Sequence, residues 1–276
     1  MSAPAIFDRA TRRVRRDRAR PRYAEHDFLR TAMLDGITER LEAVTRSFGE
    51  VLDLGCFDGA FALPGARIAR FDPGFGFARS ARGVQGDEDR LPFADSSFDL
   101  VVSAGVLDQV DDLPGALALI RRVLRPDGLL LGAFVGAGSL PALRAAWRTA
   151  DGERPAARLH PLVEVRAAGD LLVRAGFALP VADVETLPVR YRTMGRLVDD
   201  LRGMAASNML AARSAATRTH LARAAAAFAA GADSEGRTTE RFSIVFLTGW
   251  APDPSQPKPA RRGSGTTSLA ATLGPA

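Results

Sequence analysis

The sequence lacks several features, and each absence excludes a class of protein. Cys56 is the only cysteine among 276 residues, which rules out an internal disulfide and a cysteine metal cluster. No apolar run approaches the roughly 20 residues of a membrane span. Arginines occupy the N-terminal region, where a secretion signal needs a continuous apolar stretch. We therefore expect a cytoplasmic protein without a transmembrane segment.

Lysine and histidine are also scarce. Lys258 is the only lysine, and the absence of a Gly-Lys-Ser/Thr phosphate loop argues against a nucleoside triphosphate as ligand. His26, His160 and His220 lie far apart, and no His/Asp pair has the spacing of iron or zinc ligands, so no metal site is expected. The preference for Arg over Lys, together with abundant Ala, is typical of a GC-rich bacterial genome.

Positive charge is concentrated in residues 1–22. This basic arm has eight arginines and two aspartates, a net charge of +6, whereas the rest of the chain sums to about −1. Nucleic acid, an anionic membrane surface and an acidic protein are the partners such an arm suits. Because interleaved aromatic residues are missing, we favour instead a helix that packs on the body through apolar residues at helical spacing. Those residues are Ile6, Phe7, Ala10 and Val14.

Hydrophobic patterning predicts strands that alternate with helices. Apolar segments typical of buried strands cover residues 50–54, 67–71, 98–103, 128–134, 179–191 and 241–249. Helical patterns cover residues 113–124, about 162–175 and about 194–230. This alternation predicts an α/β fold with a mostly parallel sheet and helices on both faces.

Composition divides the chain into three parts. We expect a basic helical arm over residues 1–45 and a main domain over 46–251, with 194–230 as a helical insertion. Residues 252–276 are rich in Pro, Gly and Ser, which predicts a flexible tail that builds no core.

The residues that follow the predicted strands have the chemistry of a nucleoside site. In an open α/β sheet the ligand lies beyond the carboxyl ends of the strands. Gly55 and Gly59 follow the first strand, where residues without side chains allow a tight turn close to a ligand. Asp72 ends the second strand, and its carboxylate is able to accept both ribose hydroxyls.

An acidic pair, Asp87 and Glu88, precedes the apolar segment Leu91-Pro-Phe93. A carboxylate there is able to take an adenine amino group while the apolar residues cover the ring. Each of these motifs also has an ordinary structural explanation. A glycine pair is common in doubly wound folds, an Asp before Pro-Gly forms turns, and Asp87 is a suitable turn cap.

The order of the motifs resembles the class I S-adenosylmethionine-dependent methyltransferases. The series runs from the glycine-rich turn and Asp72 through Gly-Asp-x-x-x-Leu-Pro-Phe to Ser-Phe-Asp-Leu-Val and Leu-Arg-Pro-Asp-Gly. The resemblance implies a Rossmann-like, seven-stranded sheet with S-adenosyl-L-methionine as cofactor. The cofactor-binding residues it implies are Asp53, Gly55, Gly59, Asp72, Asp87, Glu88, Leu91 and Ser103.

Motifs outside the sheet resemble the methyltransferase-like assembly factors of respiratory complex I and their bacterial relatives. They include Ile6-Phe-Asp-Arg9, Ala175-Gly-Phe-Ala-Leu-Pro-Val181, Asp200-Leu-Arg-Gly-Met204 and Thr248-Gly-Trp-Ala-Pro252. This resemblance covers nearly the whole chain. In that family the mitochondrial members are associated with hydroxylation of an arginine on a complex I subunit, so the resemblance implies a respiratory subunit as a candidate protein substrate.

The sequence departs from working methyltransferases at three places. Residues 60–66 leave room for about one helical turn between the first two strands, so the cofactor wall there is expected to be short. Phe57 stands where many such enzymes have glycine. We expect its ring to crowd the methionine end of the cofactor, the alternative being a place in the sheet–helix core. Asp108 and Gln109 replace the usual His-Trp pair, and they are our candidates for catalysis because an acid near the methyl donor can orient an amine or guanidinium.

The same segment contains Asp112, which we predict to cap the following helix. Three functions stay open at this point. The first is a methyltransferase-type protein that acts on a protein or small molecule. The second is a complex I assembly factor with a degenerate, hydroxylase-like or inactive site. The third is nucleic-acid modification guided by the arm, which is the least expected; peripheral contact with a membrane also stays open.

Overall fold

The computed structural model describes residues 5–257, which form eight α-helices and seven β-strands. The helices are α1 (Arg9–Ala19), α2 (Phe28–Glu42), α3 (Phe75–Ser80), α4 (Leu113–Val123), α5 (Pro141–Asp151), α6 (Val165–Arg174), α7 (Met194–Gly203) and α8 (Arg218–Ala230). The strands are β1 (Glu50–Leu54), β2 (Arg67–Asp72), β3 (Val84–Gln85), β4 (Phe98–Ala104), β5 (Leu124–Val135), β6 (Ala178–Tyr191) and β7 (Thr238–Trp250). Two 3-10 helices, Arg20–Glu25 and Leu107–Gln109, complete the set.

All seven strands form one sheet in the order β3-β2-β1-β4-β5-β7-β6. The first five pair in parallel, whereas β7 runs antiparallel to both β5 and β6. The predicted mostly parallel, seven-stranded sheet is therefore confirmed. Strand β3 was not predicted, because its two exposed residues are too few to form a periodic pattern.

Alternating strand residues supply two hydrophobic cores, one on each face of the sheet. Leu100 and Val102 of β4 pack in the core that α2, α5, α7 and α8 cover. Val101, between them, packs in the core that α4 and α6 cover. The period-two alternation of side chains along a strand produces this division, and it confirms the prediction of helices on both faces.

Two connections differ from the prediction. The described chain has no helix between β1 and β2; residues 60–66 form a loop with a turn at Pro64-Gly65, since proline and glycine oppose helix formation. Within the predicted helical region 194–230, residues 204–217 separate α7 from α8. The sequence patterns also did not identify α3 and α5.

The two outer strands of the sheet are β3 and β6. Strand β6 contains Pro180 and Pro188, and its pairing with β7 shifts register between Ala178 and Val181. Arg40 of α2 forms ion pairs with Asp183 and Glu185 of β6. The guanidinium of Arg40 also lies 3.8 Å from the centre of the Phe246 ring in β7, so α2 is held to β6 and β7 by charge as well as by apolar contact.

The N-terminal arm folds against the body, but through a different face from the one we predicted. Phe7 is buried, whereas Ile6 and Val14 are 46% and 47% exposed and Ala10 is exposed. The buried residues of α1 are Arg12, Arg16 and Ala19. The expectation of an apolar contact face is therefore wrong for this helix, because its arginines find buried carboxylates.

The beginning of the predicted tail contacts the main domain through Gln256. Its side-chain amide donates hydrogen bonds to Asp127 Oδ1 (3.0 Å) and to the Ala251 carbonyl (2.9 Å). The remainder of the predicted tail, residues 258–276, lies outside the described residues. Within residues 5–257, the helices are all too short or too polar to cross a membrane.

Candidate functional site

Helix α1 lies across the carboxyl end of β2 and places Arg16 on Asp72. Both residues are completely buried. Arg16 Nε donates to Asp72 Oδ1 (2.9 Å) and Arg16 Nη2 to Asp72 Oδ2 (2.5 Å). The backbone N–H groups of Gly74 and Phe57 donate to the same two oxygens, at 2.7 and 2.9 Å. The carboxylate predicted to bind ribose therefore already accepts four hydrogen bonds.

The acidic segment after β3 binds the same face of α1. Arg12 forms a two-pronged pair with Glu88, at 2.6 and 2.7 Å, and both side chains are buried. Arg13 donates to Asp87 at 2.7 Å. Arg9 approaches Asp87 at 3.2 Å and also pairs with Asp89. Arginine–carboxylate forks of this kind are the strong class of charge-assisted hydrogen bond.

A small aromatic cluster lies under these ion pairs and contains Phe57. The Phe57 ring stacks on Tyr23 with ring centres 4.9 Å apart, and Phe77 meets it edge-on at 5.4 Å. The Arg16 guanidinium lies 3.8 Å from the centre of the Phe57 ring, a cation–π geometry. Phe57 is thus outside both sheet–helix cores, and its φ of +48° is in the left-handed region that favours glycine.

Two other predicted residues, Asp53 of β1 and Ser103 of β4, are completely buried. Asp53 pairs with Val102 and Ser103 with Leu54, so their side chains lie on opposite faces of the sheet. Neither oxygen of Asp53 nor Ser103 Oγ has a hydrogen-bond partner among the described residues. Arg30 Nη2 is 3.5 Å from Asp53 Oδ1. Burial raises the pKa of Asp53 to about 6, and Arg30 opposes this shift. Buried acceptors left without donors are costly, so each of these two side chains is suited to a polar ligand at the carboxyl end of its strand.

The loop after β4 places Asp108 and Gln109 beside the Arg12–Glu88 pair. Asp108 is half-buried and Gln109 buried, and one side-chain oxygen of each lacks a hydrogen-bond partner within residues 5–257. Burial raises the pKa of Asp108 to about 6. Asp108 also borders an apolar cavity of about 50 Å³ lined by Leu140 and Phe242, among others. These properties suit an acid that faces a substrate.

The neighbouring aspartates have structural roles. Asp111 accepts the backbone N–H groups of Ile6 and Phe7, both at 2.8 Å. Asp112 accepts the Gly115 N–H at 2.8 Å and caps α4, as predicted. Asp111 therefore anchors the start of the arm, and Asp112 supplies the first turn of α4 with its acceptor.

The glycines and Leu91 contact the protein itself. Gly55 and Gly59 have φ values of +78° and +77°, so each needs a residue tolerant of left-handed backbone. A Cβ on Gly55 would lie 2.4 Å from Val106, and one on Gly59 would lie 2.9 Å from Arg70. Leu91 is buried in the core under α4. The predicted tight turn is therefore present, and its close neighbours are side chains.

The residues missed by the sequence analysis are the arginines of α1. Positions 9, 12, 13 and 16 follow the i, i+3, i+4, i+7 spacing of one helical face. That spacing was a readable signal for a contact face. A charged helical face is usually solvated, so the spacing alone does not distinguish contact with the protein from contact with water.

Comparison with known proteins places this geometry in a family. The family described as "Methyltransferase domain" matches residues 52–132, which run from β1 to β5. Among solved structures, the YcgJ protein of Bacillus subtilis has a TM-score of 0.56 at 16% identity, covering 79% of this chain and 98% of its own. At that identity the likeness concerns the fold alone.

Two kinds of curated relative match over most of their length. The mitochondrial arginine-hydroxylase NDUFAF5 of Danio rerio is 34% identical over 96% of this chain and 88% of its own. A malonyl-[acyl-carrier protein] O-methyltransferase of Halorhodospira halophila is 31% identical over 88% of each chain. The chain belongs to the class I S-adenosylmethionine-dependent methyltransferase superfamily, within which its relatives include the NDUFAF5 arginine hydroxylases.

The cofactor of this superfamily does not fit the site while α1 is in place. The cavity beside Arg12 and Glu88 measures about 10 Å³, whereas ligand pockets usually have at least about 300 Å³. Asp72 and Glu88 are the right residue types at the right ends of strands, but their oxygens bind Arg16 and Arg12. The site is closed to the cofactor because of where α1 lies, and not because the acidic residues are of the wrong type.

Proposed function

We propose that the protein binds S-adenosyl-L-methionine at the carboxyl ends of β1, β2 and β4 and acts on a substrate carried by a protein. The observation that carries this proposal is a set of buried oxygens without hydrogen-bond partners among the described residues. They belong to Asp53, Asp87, Ser103, Asp108 and Gln109. All five were predicted from the sequence, and such a set is costly unless a polar ligand completes it.

The relatives support the choice of a protein-borne substrate. One is named for hydroxylating arginine and the other for methylating a malonyl group on an acyl carrier protein. We infer that Asp53, Asp72, Asp87 and Glu88 are the polar groups available to the cofactor, together with Ser103 at the end of β4. Asp108 and Gln109 are then the groups available to orient the substrate, because Asp108 faces both the acidic segment and the apolar cavity.

Calorimetric titration with S-adenosyl-L-methionine tests the proposal. We expect saturable binding by the full chain and weaker binding by Asp53→Asn. Asp35→Asn, on an exposed position of α2, is the matched control and should bind like the wild type. Absence of binding in every protein, including a variant that lacks the arginines of α1, would refute the proposal.

A second candidate is an assembly factor that holds a respiratory subunit without turnover. The closed site favours it, because Asp72 and Glu88 are engaged by the protein itself. Co-purification with complex I intermediates that persists in Asp72→Ala and Asp108→Asn variants would support this candidate, and loss of co-purification in both would favour a role for the site. The nucleic-acid alternative is weakened, since five of the eight arginines of the arm pair with carboxylates.

A further inference from the structure

Within the described part of the chain, the arginines on one face of α1 pair with carboxylates, whereas those on the other face do not. Arg9, Arg12, Arg13 and Arg16 all pair with carboxylates at the predicted cofactor site. Arg15 and Arg18 face the other way and have no carboxylate partner within residues 5–257. They line a cavity of about 450 Å³ with Trp147 and Arg202, among others.

Arg15 is under electrostatic strain in this position. Burial and the positive charges of Arg213, Arg18 and Arg202 lower its pKa, and the negative charge of Asp8 only partly opposes them. One face of α1 is therefore attracted to the sheet while the other is held among like charges. Repulsion among the positive charges on the second face opposes the position of α1 over the carboxyl end of β2, which we call the closed position. The closed position is therefore less stable than the ion pairs alone would make it.

Buried ion pairs also give a smaller net stabilisation than their geometry indicates. Removing two charges from water offsets much of the attraction between them. When α1 leaves, Arg12 and Arg16 regain their hydration, and the carboxylates become free to accept hydrogen bonds from another donor. Replacing the arginine donors at these carboxylates by donors of a ligand therefore requires little net free energy.

We propose that α1 is an internal competitor for the cofactor site: Arg16 takes the place of the ribose hydroxyls at Asp72, and Arg12 takes the place of the adenine amino group at Glu88. The closed position is an autoinhibited state, and the cofactor binds only to molecules in which α1 has withdrawn. This inference rests on the proposed function, since it assigns a regulation to the same site.

The experiment compares calorimetric affinities for S-adenosyl-L-methionine among three full-length proteins. They are the wild type, the Arg12→Met/Arg16→Met variant and Arg18→Met. The control removes an arginine from the same helix but from the unpaired face. We expect the double variant to bind at least about tenfold more tightly, a factor that corresponds to about 1.4 kcal/mol. Arg18→Met should bind no more tightly than the wild type, because it removes a positive charge that opposes the closed position.

The outcomes separate the inference from the proposed function. Equal affinity in all three proteins would overturn the competition while leaving cofactor binding intact. Binding by none of them would overturn both. A gain as large in Arg18→Met as in the double variant would also overturn the inference, because it would show a general loosening of α1.

Hydrogen exchange on the wild type gives a second test that does not depend on how well the variants fold. Saturating S-adenosyl-L-methionine should make the amides of residues 9–19 exchange faster, while the amides of α4 stay protected. Unchanged or slower exchange in α1 with the cofactor bound would contradict the proposal, because it would place α1 in the bound state.

Discussion

Helices α1 and α4 each have eleven residues, yet they are held in opposite ways, α4 on a face of the sheet and α1 across the carboxyl end of β2. The buried residues of α4 are Leu113, Ala116, Leu117, Ile120 and Val123. Those of α1 are Arg12, Arg16 and Ala19. Apolar burial has no specific partner and is lost only when the protein unfolds. An ion pair needs a specific partner and breaks when another ligand binds that partner more tightly. We therefore expect α1 to detach from the folded protein when its carboxylates bind a ligand, whereas α4 should stay in place until the protein unfolds.

The largest change in stability should come from a substitution in the apolar face of α4. Leu117→Ala should lower the free energy of unfolding by about 2–5 kcal/mol, because Leu117 is completely buried and its removal leaves a cavity. Leu119→Ala is the matched control, since Leu119 is only partly buried on the same helix. Urea denaturation measures both. Equal losses at the two positions would show that α4 is not held by its buried face.

The aromatic cluster under α1 should give the next largest effect. Phe57→Gly should lower the free energy of unfolding by about 2–4 kcal/mol, the usual loss of a buried Phe less about 1 kcal/mol regained from the left-handed φ. It should also strengthen cofactor binding, as the sequence suggested. Phe57→Ala separates the two contributions, because alanine keeps the strained φ and should be less stable than the glycine variant. If alanine proves the more stable, backbone strain at this position is unimportant.

His160 tests how firmly the start of the arm is anchored. Its ring meets Phe7 edge-on and its Nε2 accepts the Met209 N–H, and burial lowers its pKa to about 4. The unfolded chain therefore takes up a proton from about pH 6.5 downward, and up to about 3 kcal/mol of stability is lost as the pH falls to 4.

Asp53 and Asp108 change the stability of the protein in the opposite direction over the same pH range, because burial raises their pKa to about 6. Their contribution is greatest at low pH and is lost as the pH rises toward 6. The informative quantity is thus the difference between wild type and His160→Gln, which should shrink steadily from pH 7 to pH 4. A difference that is the same at both pH values would show that His160 does not titrate in this range.

The smallest expected effect concerns Asp72. In the Arg12→Met/Arg16→Met background, Asp72→Ala should weaken cofactor binding by about 1–3 kcal/mol, the usual result of deleting a charged hydrogen-bond partner. In the wild-type background the loss should be smaller, because the same change also releases Arg16. Titration of both pairs of proteins measures the difference. A larger loss in the wild-type background would contradict competition at Asp72.

Long periodic segments made most of the fold predictable. The strands β1, β2, β4, β5, β6 and β7 and the helices α4 and α6 follow from continuous apolar runs or a 3.6-residue period. Short elements such as β3 and α3 have too few residues to produce a pattern. The missing helix between β1 and β2 was expected to be short, but Pro64-Gly65 removes it altogether.

For the candidate site, the sequence predicted the acids but not their partners. Asp72 could be placed because it ends a predicted strand, where the topology of parallel sheets puts functional residues. Asp87 and Glu88 could be placed because they precede the apolar segment Leu91-Pro-Phe93. Their bonds to Arg16, Arg13 and Arg12 span 56 to 76 positions of sequence. Nothing local indicates such pairing, since an arginine-rich helix is equally compatible with solvent.

The two edges of the sheet bear on how the protein behaves at high concentration. An exposed edge strand offers unpaired N–H and C=O groups to a strand of another molecule, which is a common beginning of aggregation. One edge here, β3, is only two residues long. The other, β6, is long but contains two prolines that donate no hydrogen bond and acidic residues that bind Arg40. Neither edge is a good template for edge-to-edge association, so we expect the folded protein to resist this route to fibrils.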